Sequence, residues 1–303
     1  MNSFVDDLKK EWHKPNNTLM WLLLVNVFVF IFMNLAMVIT KVATVKWIYK
    51  IIRENMFVAP DFVQKFIYKP WTALTYAFTH EAFLHFFSNM MMLYWFGRII
   101  VEYLNVKRLF ALYIWGAFGG AFLYLFANNL IDFILPISFF EPNKDSIGML
   151  GASASVYAIV VCAGKLYPEM LVHLLFFQEV KLKYVAFFTV FLSFVGSFGY
   201  DSGGDMAHLG GALVGYLFAV QYRKGSDWSV PVTRFVNWFT GLFKKKAKVK
   251  MGYRNPNSNA GKTQATRSNQ DELDRILDKI SQSGYENLSK EEKQFLFKES
   301  QRK

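Results

Sequence analysis

The sequence has little cysteine, a deficit of acidic residues and, over long stretches, no charge at all. Only one cysteine, Cys162, occurs among 303 residues, so no disulfide can form within the chain. We expect Cys162 to pack as a small apolar side chain, because no histidine lies near it in the sequence. Lys and Arg outnumber Asp and Glu by 34 to 23, and 53% of the residues are hydrophobic. This composition is unusual for a soluble domain.

Charged side chains are absent or nearly absent from six runs. These runs are Pro15–Thr40, Ala82–Gly97, Leu109–Leu130, Ser146–Gly164, Tyr184–Tyr200 and Met206–Tyr222. Most of them reach the ~17–25 residues that an α-helix needs to cross the hydrocarbon core of a bilayer. They predict an all-α membrane protein, a bundle of six transmembrane helices. The first run is too long for a signal peptide, so we expect a retained membrane helix there.

Small residues surround one serine in the fourth run. Gly151, Ala152 and Ala154 leave little side-chain volume around Ser153, so a neighbouring helix or an extended peptide can approach its hydroxyl. An isolated serine in a membrane helix usually just bonds the carbonyl one turn back. The rest of the chain decides between these two interpretations.

A histidine, His208, is the only member of the His, Asp, Glu, Lys and Arg group in the sixth run. An ionisable group at membrane depth costs several kcal/mol and indicates a functional role with a partner. Ala207, Gly211 and Gly215 recur at intervals of four and give the predicted helix a flat ridge beside His208. We expect the helix of Ser153 to pack there, which would pair the hydroxyl with a base as in acyl transfer.

Two further polar residues begin the second run. His85 and Asn89 are four residues apart and share one face of a helix. Polar groups fixed together at the water-facing end of an apolar helix suit an oxyanion hole, where donors must be in place before charge develops on a carbonyl oxygen. The alternative interpretation is a polar helix end that caps itself.

Over roughly Trp71–Tyr222 these residues together resemble the rhomboid intramembrane serine proteases. The matching motifs are Gly151-Ala152-Ser153-Ala154, Ala207-His208 with Gly211 and Gly215, His85 with Asn89, and Tyr157 four residues after the serine. The resemblance implies that Ser153 is the nucleophile and His208 the general base. It also implies that Tyr157 stacks on His208 and that His85 and Asn89 stabilise the oxyanion. In one departure, the Trp-Arg pair common in the family's first loop is Trp71-Thr72, which puts in doubt that loop's usual polar anchoring but not the chemistry.

The function that the resemblance implies is that of an intramembrane serine endopeptidase acting on transmembrane substrate proteins. We expect a Ser–His dyad, because no Asp or Glu lies in the uncharged runs beside Ser153 and His208. No metal or organic cofactor is implied. A catalytically inactive rhomboid-like protein that binds clients is the main alternative, and a proton-linked transporter would want more intramembrane charge. A Gly-x-Ser-x-Gly hydrolase is disfavoured because Ser155 replaces the last glycine.

The chain divides into five predicted segments. They are a cytoplasmic N-terminal arm (1–18), the six-helix membrane domain (19–222), a basic juxtamembrane segment (223–251), a flexible linker (252–270) and a short helical module (271–303). From Arg223 onward there are 18 Lys and Arg against 9 Asp and Glu. The cluster Lys244–Lys250 beside a membrane anchor favours anionic lipid over nucleic acid as its partner. Ser289 and Glu292 have capping-box spacing in the module, whose own partner the sequence does not identify.

Charge also predicts the orientation. Six spans put both termini on one side, where Lys107, Arg108, Lys165 and Arg223 are expected, so the positive-inside rule makes that side cytoplasmic. The first loop, Lys41–Glu81, carries six basic residues and argues against this orientation. We expect a bacterial inner-membrane protein with both termini in the cytoplasm. The glycine-rich link Asp201–Asp205 before His208 is expected to be a mobile cap or a plain turn.

Overall fold

The structure is a computed structural model that describes residues 17–134, 148–173, 179–198, 202–243, 271–281 and 284–300. The chain forms two compact units, divided between Lys244 and Lys245. Most of the predicted N-terminal arm, the basic cluster Lys244–Lys250 and the predicted linker lie outside the described residues.

Helices dominate the first unit. In chain order they are α1 (Thr18–Val42), α2 (Lys46–Ile52), α3 (Val63–Phe66), α4 (Thr72–Thr75), α5 (Phe83–Tyr103), α6 (Val106–Ile134), α7 (Ser153–Leu166), α8 (Leu182–Gly196), α9 (Ser202–Arg223) and α10 (Ser229–Phe243). A short antiparallel pair of strands, β1 (Leu171–His173) and β2 (Glu179–Lys181), lies between α7 and α8. Each of the six uncharged runs overlaps with one helix: α1, α5, α6, α7, α8 or α9.

The six helices differ in how well they suit a membrane by themselves. Thr18–Val42 and Val106–Asn129 are long and apolar enough to cross a bilayer, whereas α7 and α8 are apolar but have only 14 and 15 residues. Helix α8 presents large apolar side chains outward, among them Phe187, Phe188 and Phe194, each more than half exposed. Such a surface is compatible with lipid and unusual in water.

Helix α7 begins later than the sequence predicts. The fourth run predicts one span over Ser146–Gly164, but within it Gly148 and Gly151 have φ angles of +82° and +122°, which no right-handed helix contains. The regular helix therefore begins only at Ser153. Met149 exchanges two backbone hydrogen bonds with Ala59 of the first loop, at 2.9 and 3.0 Å.

Helices α6, α7 and α9 meet through their backbones. A Cβ added to Gly211 would lie 2.0 Å from the Ala154 carbonyl oxygen, and one added to Gly215 would lie 2.2 Å from that of Ala158. Gly210 faces the Gly119 carbonyl oxygen of α6 in the same way, at 2.2 Å. Because real Cβ atoms do not approach a backbone oxygen so closely, only glycine permits this packing.

The first loop is held by side chains that bond to its backbone. After α2 the chain makes one π-helical turn, Arg53–Phe57, which leaves carbonyl groups without helical partners. Lys69 donates to the carbonyl of Glu54 (3.1 Å), Trp71 to that of Asn55 (2.8 Å) and Thr75 to that of Met56 (2.5 Å). The turn is thereby tied to the segment that leads into α4.

An arginine from elsewhere in the loop supplies a polar anchor. The buried side chain of Arg53 forms an ion pair with Glu81, which also accepts a hydrogen bond from Tyr49 at 3.1 Å. Burial, together with the Glu81 carboxylate, raises the pKa of Tyr49 to about 12. The doubt that Trp71-Thr72 raises about the loop's polar anchoring is answered by Arg53, which reaches Glu81 from 28 residues earlier in the chain.

The second unit contains two short helices, α11 (271–281) and α12 (Lys290–Ser300). The predicted capping box forms: Ser289 Oγ accepts from the Glu292 backbone N–H (3.2 Å), and Glu292 accepts from that of Ser289 (2.7 Å). Glu292 also pairs with Lys279 of α11 at 2.9 Å. Ile276 and Leu288 are its buried apolar side chains.

Candidate active site

Ser153 and His208 lie side by side where α7 meets α9. Ser153 is the first residue of α7, and His208 lies two turns into α9. Because Gly211 lets the two backbones touch at Ala154, His208 Nε2 comes within 2.7 Å of Ser153 Oγ. Both side chains are half-buried. The pair therefore has the hydrogen-bonding geometry of a nucleophile and its base.

The imidazole of His208 is held from its other faces. The ring of Tyr157 stacks on it with centroids 4.4 Å apart and an interplanar angle of 10°. Its Nδ1 lies 3.0 Å from Ser193 Oγ, and that oxygen lies 3.0 Å from the hydroxyl of Tyr157. Ser193 belongs to α8 and is absent from the predicted site, because a serine in an apolar helix has no sequence signal of its own.

A carboxylate also lies beside His208. Asp205 Oδ1 is 3.4 Å from His208 Nδ1, three residues away on the same helix. The link Asp201–Asp205 was expected to be a turn or a mobile cap, but α9 already begins at Ser202, so Asp205 lies in its first turn. The sequence argument for a dyad considered only carboxylates inside the uncharged runs, and the sixth run begins one residue after Asp205. The Asp-x-x-His spacing on a helix was the signal that could have found it.

His85 faces the serine across Gly151. A Cβ added to Gly151 would lie 2.8 Å from His85 Cε1, 3.2 Å from His85 Nε2 and 3.8 Å from Ser153 Oγ. The ring of His85 and the serine hydroxyl thus border the same small space. Asn89 is buried one turn further along α5 and donates from its amide nitrogen to the His85 carbonyl at 2.8 Å. One of its two N–H donors is therefore used within the helix.

His80 fixes the backbone that leads into Ser153. Its Nε2 accepts a hydrogen bond from the Ala152 N–H at 3.1 Å, and the carbonyl of Tyr76 accepts one from the Gly151 N–H at 3.0 Å. The His80 ring is fully buried and meets the ring of His85 edge-on, with centroids 5.3 Å apart. The sequence predicts no role for His80, since nothing in its spacing links it to residue 152.

The backbone N–H groups of Gly151 and Ala152 already donate hydrogen bonds within the protein. The next backbone N–H along the chain is that of Ser153. It opens α7, where the first N–H groups have no partner within the helix. Among the described residues, no three His, Cys, Asp or Glu side chains are grouped closely enough to hold a metal ion.

The part of the chain that carries these residues matches a known protein family. A family model described as the Rhomboid domain matches residues 68–225, which is more than half of the chain and includes Ser153 and His208. The chain belongs to the rhomboid family. It is accordingly an all-α membrane protein. A second model, for a family of unknown function, matches residues 263–302, which include α11 and α12.

Curated rhomboid relatives resemble part of the chain. RHOMBOID-like protein 12, mitochondrial, of Arabidopsis thaliana is 32% identical over 157 residues, 51% of this chain and 47% of that protein. Rhomboid protein 1, mitochondrial, of Saccharomyces cerevisiae is 26% identical over 181 residues, 59% of this chain and 48% of that protein. Rhomboid-like protein 16, chloroplastic, of Arabidopsis thaliana is 35% identical over 102 residues, 33% of this chain and 32% of that protein. The matches span less than half the length of these relatives.

Proposed function

We propose that this rhomboid is an intramembrane serine endopeptidase that cleaves transmembrane substrate proteins. Ser153 is the nucleophile and His208 is the general base and then the general acid. The observation that carries the proposal is the 2.7 Å separation of Ser153 Oγ and His208 Nε2. A serine hydroxyl is a weak nucleophile until a base accepts its proton, and a base within hydrogen-bond reach meets that need.

In the first step the Ser153 proton passes to His208 Nε2 while the oxygen attacks the scissile carbonyl carbon. The carbonyl electron pair moves to the oxygen, and a tetrahedral oxyanion results. The imidazolium then gives its proton to the leaving amine as the C–N bond breaks, which leaves an acyl-enzyme. Water repeats the sequence and releases the second product. The half-buried position of both side chains is compatible with water reaching them.

The oxyanion is held by the Ser153 backbone N–H together with His85 and Asn89. His85 supports this role because its ring and Ser153 Oγ lie within 4 Å of one point beside Gly151. Asn89 contributes the N–H donor that its bond to the His85 carbonyl leaves over. Donors fixed before the reaction stabilise the developing charge without reorganisation. Tyr157 keeps the imidazole plane in position by stacking.

The test is cleavage of a purified transmembrane polypeptide in detergent, with the products identified by mass spectrometry. Wild-type protein should cut it, and Ser153→Ala and His208→Ala should each lose all measurable cleavage while melting at the wild-type temperature. Ser155→Ala is the matched control, because that hydroxyl lies two residues along α7 and bonds the Tyr113 carbonyl at 2.7 Å. It should cleave normally. Persistent cleavage by Ser153→Ala would refute the assignment.

The same assay separates the enzyme from the alternative of an inactive client-binding protein. That alternative predicts that immobilised wild-type protein retains the polypeptide. It also predicts that mass spectrometry finds no newly formed peptide termini for any of a range of substrates. Under the same alternative, Ser153→Ala leaves this retention unchanged.

We further propose six spans with both termini in the cytoplasm. Arg223 donates to the carbonyl groups of Lys165 and Leu166 at 2.8 and 3.1 Å, and Arg108 pairs with Asp227. Basic residues thus gather at one end of α6, α7 and α9, which supports a cytoplasmic location for that end. The named relatives belong to mitochondria and a chloroplast, so the expectation of a bacterial inner membrane rests on the sequence alone.

Orientation can be measured with introduced thiols, because the native Cys162 is buried. Lys46→Cys in the first loop and Ser226→Cys after α9 are both at exposed positions. A membrane-impermeant maleimide should label the first in intact cells and the second only after permeabilisation. The reverse pattern would invert the topology.

A further inference from the structure

The side of His208 that faces away from Ser153 has chemistry that a two-residue mechanism does not use. His208 Nε2 must be free of hydrogen to accept the proton of Ser153, so Nδ1 carries the ring hydrogen. That N–H faces Ser193 Oγ at 3.0 Å and Asp205 Oδ1 at 3.4 Å. Ser193 can accept it while donating its own hydrogen to the Tyr157 hydroxyl at 3.0 Å.

Asp205 is seated against α8 by a glycine. A Cβ added to Gly196 would lie 2.2 Å from Asp205 Oδ2 and 3.0 Å from Asp205 Oδ1. Any other residue at 196 would push the carboxylate away from this place. Gly196 is the last residue of α8, one turn after Ser193, so the same helix end supplies both neighbours of the imidazole N–H. Each of these contacts is independent of Ser153.

The other groups around His208 do not provide a negative charge. Helix α7 contributes Ser153 and the stacked Tyr157 ring, α8 contributes the Ser193 hydroxyl, and the ring of His85 from α5 lies on the other side of Ser153, beside Gly151. Helix α6 approaches α9 through Gly119 and Gly120. Among the ion pairs of the described residues, Asp205 is the carboxylate that faces His208.

We propose that Asp205 is a positioning residue for the reaction, acting through His208 with Ser193. The carboxylate and the Ser193 hydroxyl hold Nδ1–H, which fixes the tautomer that leaves Nε2 free. The Asp205 carboxylate stabilises the imidazolium formed when His208 takes the Ser153 proton. This inference rests on the proposed function and extends the Ser153–His208 dyad to a group of four side chains, in which Ser193 and Asp205 both face His208 Nδ1.

The kinetic test compares Asp205→Asn, which keeps the shape and removes the charge, with Ser193→Ala and a control. General base catalysis contributes about 10²–10⁴-fold, so loss of the group that orients the base should lower kcat on the order of 10- to 100-fold. KM and the melting temperature should stay at wild-type values. Ser197→Ala is the control, since this buried serine on the turn after α8 bonds the Phe194 carbonyl instead. Wild-type kcat in Asp205→Asn would overturn the proposal.

A measurement on the unaltered protein decides the case if Asp205→Asn does not fold. Nitrogen-15 NMR of labelled histidine distinguishes the two neutral tautomers, and the His208 signals are assigned by their loss in His208→Ala. We expect a hydrogen on Nδ1 with a downfield proton resonance. A hydrogen on Nε2 would overturn the proposal. If His208→Ala still cleaves substrate, the proposed function fails. If His208→Ala is inactive and Asp205→Asn has wild-type kcat, only this inference fails.

Discussion

The two units of the chain stabilise their helices by opposite means. In the first unit, α7 and α9 touch backbone to backbone at Gly211 and Gly215, where the space for a side chain is absent. In the second, α11 and α12 are joined through side chains, including the Lys279–Glu292 pair and the buried Ile276. The first arrangement positions atoms closely and tolerates no added methyl group. The second tolerates substitution at a small cost, because solvent competes for surface ion pairs.

The largest expected effect comes from filling the contact between α7 and α9. Gly211→Val should eliminate cleavage and lower the free energy of unfolding by about 3 kcal/mol or more, because its Cβ would collide with a backbone oxygen that cannot rotate away. Thermal melting and cleavage are measured together. Gly204→Ala is the control on the same helix, since nothing lies within 4 Å of a Cβ at that position. Equal behaviour of the two variants would mean that Gly211 does not line the contact.

A smaller effect on stability but a strong one on activity is expected from Gly151→Ala. The new Cβ would meet the His85 ring at 2.8 Å, and the φ of +122° is strained for any residue with a side chain. We expect kcat to fall on the order of 10²-fold, as when one oxyanion donor is displaced. The unfolding free energy should fall by about 1–3 kcal/mol. Unchanged kcat would separate His85 from the oxyanion.

An ion pair at the other end of the first unit should behave like those of the second. Arg108 of α6 pairs at 2.8 Å with Asp227, which lies shortly before the start of α10. Burial of Asp227 opposes ionisation, but hydrogen bonds from Ser229 and Arg108 outweigh it and hold the pKa of Asp227 below its ordinary value of 3.8. A depressed folded-state pKa stabilises the fold above the unfolded-state pKa, and that contribution is lost as the pH falls through the folded-state value.

Asp227→Asn should therefore cost about 1 kcal/mol or less at pH 7, because solvent screens the pair. The difference in melting temperature between wild type and variant should be constant above about pH 5 and should close as the pH falls below 3.8. A difference that persists at the lowest pH would assign the effect to packing. Cleavage at pH 7 should be nearly unchanged.

The smallest effect is expected from removing the second unit. A chain that ends at Met251 keeps every proposed catalytic residue, so it should cleave a detergent-soluble substrate at close to the full-length rate. Its binding to vesicles that contain anionic lipid can be compared with that of the full chain; residues 252–303 carry 10 Lys and Arg against 8 Asp and Glu, and the shortened chain keeps the basic cluster Lys244–Lys250. Loss of cleavage in a shortened chain that still melts cooperatively would show that the second unit completes the active site.

The sequence predicted those parts of the site that depend on local spacing. Gly211 and Gly215 follow His208 within the same helix, four residues apart, so the spacing of small residues alone indicates which face of α9 meets α7. The start of α7 could not be predicted in this way, because an uncharged run does not reveal that Gly148 and Gly151 adopt positive φ angles, which a right-handed helix does not contain.

Contacts between distant segments were also beyond the sequence. Arg53, which opens the π-helical turn, reaches Glu81 across 28 residues of the loop, and no local pattern in the sequence indicates this pair. Ser193 meets His208 only because α8 packs beside α7. Asp205 could have been found from the sequence. The sixth uncharged run was ended at the nearest charged residue, however, and that residue is Asp205. Helix α9 begins at Ser202, four residues before the uncharged run begins at Met206.

The central claim is that His208 activates Ser153, and the most direct measurement is covalent labelling of the serine. Purified protein is treated with a fluorophosphonate, and the adduct is located by peptide mass mapping. The account predicts one adduct, on Ser153, in wild type and in Ser155→Ala, and none in His208→Ala under the same conditions. Labelling of Ser153 at the same rate without His208, or no adduct on Ser153 in an active wild-type preparation, would contradict it.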